Sequence, residues 1–144
     1  MSSLRALALC VVIVSCAPQN ASSDAPLPHD LSIVAPGPDI PPAAAQFSGL
    51  WRGAWGGTMA HVLVVEKIPT PTTAMIVYSV GANPSIGIQP SWWRSSATIE
   101  NDTLVYQDTS GALVVRYKPQ SDGSLAATYR NGLRGWYGSA TMKK

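Results

Sequence analysis

The sequence predicts an all-β fold, a small antiparallel β-barrel of eight strands or else an open β-roll, set behind an apolar leader and a disordered linker. Three observations predict it. Clusters of Gly, Pro, Asn, Asp and Ser recur at short intervals from about residue 47 onward. The segments between them have the length of strands, are rich in Val, Tyr, Trp and Thr, and alternate large apolar residues with polar or small ones. Nowhere in this region do apolar residues repeat with the period of a helix.

The first element in order is the leader, 1–15. Met1-Ser2-Ser3-Leu4-Arg5 is a short positive start, residues 6–14 form an uninterrupted apolar run, and Ser15-Cys16 ends it, which is the layout of a secretory signal. The run is shorter than the roughly 20 residues a permanent span requires. Ile13-Val14-Ser15-Cys16 resembles the lipobox of bacterial lipoproteins, with an aliphatic residue three before the cysteine and a small one just before it. Ile13 stands where that family most often has Leu. The resemblance implies cleavage before Cys16, a diacylglycerol on its sulfur and an acyl chain such as palmitate on its new amino group. Cys10 fits the pattern less well, because the bulky Leu9 precedes it. Several acyl chains make a stable anchor, since each buried methylene contributes about 0.8 kcal/mol. With Ala17 rather than Asp after the cysteine, the resemblance also implies the outer membrane of a bacterial envelope, on its periplasmic or surface face. An ordinary secretory signal, giving a secreted protein, is the alternative.

The second element, 16–46, carries the cysteine and a stretch rich in Pro, Ala, Ser and Asp without an aromatic residue. Proline removes backbone donors and fixes φ, so an extended, partly polyproline spacer is expected here. His29 falls in this linker and is expected to be solvated.

The third element, 47–144, is the folded body. Its candidate strands are 47–55, 61–68, 73–80, 92–100, 103–108, 112–118, 124–130 and 135–143. One face is apolar along Phe47, Trp51 and Trp55; Ala74, Ile76, Tyr78 and Val80; Leu104 and Tyr106; Leu113, Val115 and Tyr117; Leu125, Ala127 and Tyr129; and Trp136, Ala140 and Met142. The other face carries Arg116, Lys118, Thr128, Arg130, Ser139, Thr141 and Lys143, so one side is buried and the other wet. Glycines interleaved with large rings, as in Gly49 and Gly53 around Trp51, suit the tight curvature of a small barrel. Eight strands enclose an interior filled by side chains or able to hold one small ligand at an open end.

Gly49-Leu50-Trp51 at the start of the first strand resembles the Gly-x-Trp signature of lipocalins and the wider calycin group, avidin-like barrels included. The resemblance implies a Trp closing the barrel base under a basic residue from late in the chain, with Arg134, Arg130 and Lys143 as the candidates.

Chemistry beyond binding finds little support. Formal net charge is +2 with both signs scattered, which excludes a dedicated nucleic-acid binder. The two cysteines both lie within the first 16 residues, so none can staple or ligate within the body. The body has a single histidine, His61, and the acids Glu66, Glu100, Asp102, Asp108 and Asp122, with no Gly-x-Ser-x-Gly elbow. No catalytic residue, metal site or cofactor is therefore expected, and the protein reads as a non-enzyme.

The surface segment 81–90, GANPSIGIQP, is long for a connection in a small barrel and leads into Trp92-Trp93-Arg94. Its Ile86 and Ile88 belong either to a recognition lid or to a plug at the barrel end. Trp93 is in phase with Ala97 and Ile99 and is assigned to the core. Trp92 is in phase with Arg94 and Ser96 on the wet face, where it is either a contact for a glycan or protein or a ring covered by the loop. Two functions follow. One is a lipid-anchored envelope lipoprotein whose barrel binds a small apolar ligand, a glycan or an envelope partner, with Trp51, Trp55, Tyr78, Trp92, Arg94 and Trp136 as binding residues. The other is a structural or assembly lipoprotein with a filled barrel and no ligand. A cavity lined by Trp51, Trp55, Tyr78 and Trp136 and open near 81–90 would favour the first.

Overall fold

The structure is a computed structural model that describes residues 24–144; the leader, Cys10 and Cys16 lie outside the described residues. Eight strands run β1 Gly49–Trp55, β2 Met59–Thr70, β3 Thr73–Val80, β4 Ser91–Glu100, β5 Thr103–Gln107, β6 Leu113–Pro119, β7 Leu125–Asn131 and β8 Trp136–Met142. Each pairs antiparallel with the next in a single sheet of order β1 to β8. The sheet curls until its ends meet. Arg52 and Lys143 exchange backbone hydrogen bonds of 2.8 Å in both directions, and the Gly56 N–H donates to the Ser139 carbonyl at 3.0 Å. Gly53 makes this seam: a Cβ there would lie 2.5 Å from Met142 Sδ and 2.6 Å from the Thr141 carbonyl oxygen. The result is a nearly closed up-and-down barrel, and the open-roll alternative does not apply.

Local chemistry explains the hairpins. Glu100 pairs with Thr103 across Asn101-Asp102, both at positive φ (47° and 55°), the two-residue turn whose twist matches that of the strands. The Asp108 side chain accepts from the Leu113 N–H at 3.1 Å and from the Ser110 hydroxyl, closing the β5–β6 turn. The Asp122 carboxylate accepts from the Ser124 hydroxyl at 2.6 Å and its N–H at 3.0 Å, which holds that carboxyl below its usual range.

Alternation places the core where the sequence put it. Trp51, Trp55, Ile76, Tyr78, Leu104, Tyr106, Val115, Tyr117, Leu125 and Met142 are all buried inside. β2 departs from alternation, because Val62, Val64 and Val77 of β3 are buried on the outside of the barrel.

What covers them is the segment 24–46. Its backbone has the irregular character expected from its prolines, broken only by one turn of helix, α1 Pro42–Ala45. Its placement differs from the free spacer expected. Ala25, Leu27 and Leu31 pack with Leu50 over Val62, Val64 and Val77. The Ser79 hydroxyl donates to the Pro26 carbonyl, Ser32 N–H donates to Glu66 Oε1 at 3.3 Å and Val34 N–H to the Glu66 carbonyl at 2.8 Å. Arg94 clamps the segment through Asp30 Oδ1 and Glu66 Oε2, both at 2.9 Å. The strap then passes under the barrel, where Ile40, Ala44 and Phe47 seal the closed end against the core. The physical reason is that a strand pair apolar on both faces demands a second cover, and Leu27 and Leu31 supply it.

Candidate functional site: the open end of the barrel

At the opposite end the interior is not filled. A cavity of about 440 Å³ opens there, walled by Trp55, Met59, Tyr78, Val80, Trp93, Leu113, Tyr129 and Trp136, with Ile86 to Gln89 across one side and Asn131 and Arg134 at the rim. It falls in the size range of small-molecule sites, and its walls are mostly apolar with few polar groups.

The floor is a stack of rings. Trp55 stacks on His61 at 4.6 Å and meets Tyr129 edge-on at 5.0 Å, while Tyr78 packs against His61, Trp93 and Tyr106 at 4.6, 4.8 and 5.4 Å. The Trp93 indole N–H donates to the Tyr106 hydroxyl at 2.6 Å. Below the cavity His61 is fully buried, with Nδ1 2.7 Å from the Ser79 carbonyl oxygen and Nε2 2.8 Å from the Tyr117 hydroxyl. A carbonyl only accepts, so Nδ1 carries the proton and Tyr117 donates to Nε2. Burial pushes the His61 pKa down to about 4 and outweighs the Ser79 contact, so the ring is neutral near pH 7. Burial likewise pushes the Tyr78 and Tyr117 phenols up, keeping the floor uncharged. His61 is thus a satisfied structural residue and not an exposed base. Among the described residues, the Trp55 indole N–H is the one buried side-chain polar atom without a hydrogen-bond partner.

The 81–90 loop is a closed ring. Asn83 and Ile88 exchange backbone hydrogen bonds of 2.9 and 3.0 Å around the short turn Pro84–Ile86, and Gly87 at φ 70° reverses the chain. Ile88 packs on the core, whereas Ile86 is exposed, so the loop is both wall and rim.

Of the residues expected to bind, Trp55, Tyr78 and Trp136 line the cavity. Trp51 does not. It lies at the closed end, its N–H donating to the Phe47 carbonyl at 2.8 Å and its ring under the Lys144 ammonium at 4.8 Å. The basic cover over Trp51 is therefore Lys144 and none of Arg134, Arg130 and Lys143; Arg134 stacks on Trp136 instead, at 4.6 Å. Trp92 and Arg94 sit on the outer face of β4, away from the cavity. Trp92 is 40% exposed, and Arg94 lies 5.7 Å from its ring. Arg94 is engaged by Glu66 and Asp30, which raise its pKa further, and is a strap residue. Trp93, assigned to packing, turns out to be wall as well.

The sequence reasoning missed Met59, Leu113, Tyr129, Asn131 and Arg134. The usable signal was their shared position: all lie in or beside the β1–β2, β5–β6 and β7–β8 turns, the same end as 81–90. Among the described residues no group of His, Cys, Asp and Glu could hold a metal ion, and no helix is long and apolar enough to cross a membrane. No protein-family model, curated protein or solved structure matches this chain.

Proposed function

We infer that this protein is a lipid-anchored lipoprotein of the bacterial envelope whose barrel binds a small, largely apolar molecule in its open end, without catalysis. The observation that carries this reading is the aromatic cavity of about 440 Å³ between Trp55, Tyr78, Trp93 and Trp136. A structural barrel would be expected to fill that volume, because apolar rings left lining a solvent-open cleft forgo the burial that side chains there would supply. The neutral floor favours an uncharged ligand body. An anionic group on the outer end of the ligand would meet Arg134 at the rim. The lipobox at Ile13 to Cys16 and the Lys144 cover on Trp51 support the lipoprotein and calycin resemblances respectively. A glycan site at Trp92 gains less support, since Arg94 beside it is held by the strap.

Native mass spectrometry of the protein purified from its own host, with residues 24–46 retained because they complete the fold, tests the reading. A co-purifying small molecule is expected, together with saturable binding of 1-N-phenylnaphthylamine that Leu113→Trp weakens at least tenfold by filling the cavity. Bare protein that ignores the probe and crosslinks to an envelope protein would instead establish the structural role.

A further inference from the structure

The two ends of the barrel differ in a way that ligand binding does not require. The closed-end turns are Pro71-Thr72, Asn101-Asp102 and Gln120 to Gly123, short and polar. The open end displays Ile86 on one loop and Leu133 on another, with Trp92 and Tyr137 on the strand ends just outside them. Leu133 and Tyr137 are 82% and 83% exposed. A leucine held that far into water at a loop tip gains nothing from the fold. The charge beside it is Arg134, stacked on Trp136, while the carboxylate of that end, Asp108, is occupied by Ser110 and the Leu113 N–H.

The strap fixes where the chain arrives. Val34 bonds to Glu66, Asp30 to Arg94, and Pro26 to Ser79, so traced toward the N-terminus the chain climbs from the middle of β2 and β3 to the open end. Ser79 is one residue from Val80, which walls the cavity. Asp24 follows two residues beyond Pro26, and Cys16 lies eight residues before Asp24. Eight residues span at most about 28 Å when fully extended. A 30-residue spacer would have let the domain tumble far from the surface; the strap removes most of that length.

From these observations we propose that the open end of the barrel docks on the surface of the bilayer that holds Cys16, with Leu133 and Ile86 entering the interface and Arg134 against anionic headgroups. The proposal rests on the lipid-anchor reading and adds to the cavity reading a source for the ligand: an apolar molecule passes between the acyl layer and the barrel without crossing bulk water. Aromatic and aliphatic tips beside a basic residue are the composition that suits a membrane interface.

Amide hydrogen exchange on the lipidated protein, with and without vesicles of phosphatidylethanolamine and phosphatidylglycerol, tests the orientation. A purified protein that carries no lipid on Cys16 refutes the anchor reading on which the proposal rests, and the docking is then read separately on the Cys10→Ser chain coupled through Cys16 to a maleimide lipid. The expected result is several-fold slower exchange for 84–87 and 132–135 in vesicles, no change at 101–102 and 121–123, and loss of the protection in Leu133→Ser/Ile86→Ser. Protection at the closed-end turns, or at neither end, overturns the proposal. Binding of 1-N-phenylnaphthylamine by the same sample is read separately: unprotected loops in a protein that binds the probe refute the docking alone, and protected loops in one that does not bind it refute the cavity reading alone.

Discussion

His61 makes the stability of this barrel depend on pH in a window of its own. The ring is fully buried between Trp55, Tyr78 and Tyr117, with both nitrogens engaged, and its pKa falls from 6.5 to about 4. In the unfolded chain it titrates near 6.5, so between the two values the unfolded state binds the proton and the folded state does not. The contribution is complete above about pH 6.5 and lost as the pH falls toward 4. The difference amounts to about 3 kcal/mol in all, of which about 2 kcal/mol is gone by pH 5. Asp30 and Asp122, whose pKa values are lowered from 3.8, lose their contributions below that value and leave the window to His61. Urea unfolding followed by tryptophan fluorescence at pH 7, 6, 5 and 4 measures it. His61→Phe/Tyr117→Phe removes the titrating ring and its hydroxyl partner together, and its stability is expected to be nearly flat from pH 7 to 4. A wild-type protein as flat as the double variant, or a double variant as steep as wild type, would refute the reasoning.

Three further outcomes are expected. Gly53→Ala forces a methyl into Met142 and the Thr141 carbonyl, and should cost about 1 to 3 kcal/mol with faster amide exchange at Arg52 and Lys143, whereas Gly132→Ala, with nothing closer than 3.9 Å, should be near neutral in the same urea titration. Arg94→Ala frees Asp30 and Glu66 and should make 24–34 more cleavable by a nonspecific protease and lower the melting temperature, because Val62, Val64 and Val77 lose part of their cover; unchanged cleavage would show that Leu27 and Leu31 hold the strap unaided. Trp93→Ala removes the ring packed on Tyr78 and its bond to Tyr106 and should cost about 3 kcal/mol, well above Trp92→Ala; equal losses in a thermal melt would make Trp92 structural.

Legibility in the sequence followed the range of the interactions. The phases of Ile76 and Tyr78, of Val115 and Tyr117, and of Leu125 and Ala127 were readable because strand alternation is a property of neighbouring residues. The Asn101-Asp102 turn was readable because its backbone conformation is chosen by those two residues. The outer cover was readable in principle: Val62 to Val65 is continuously apolar where a one-faced strand would alternate, and this asked for a partner that the linker's Leu27 and Leu31 supply. The site was only half legible. Trp55, Tyr78 and Trp136 share the inner phase with Trp51, and phase alone cannot separate a ring at the open end from one at the closed end.

The sequence by itself therefore determined the strands, their inner faces and their turns, since each depends on a period of two residues or on the φ of one or two. Only the tertiary structure decided that the sheet closes at Gly53, that Lys144 and not an arginine covers Trp51, that the strap lies on β2 and β3, and which end stays open. Those outcomes depend on how eight strands are tilted and staggered around one axis, a geometry fixed when the ends of the chain meet and carried by no local stretch of it.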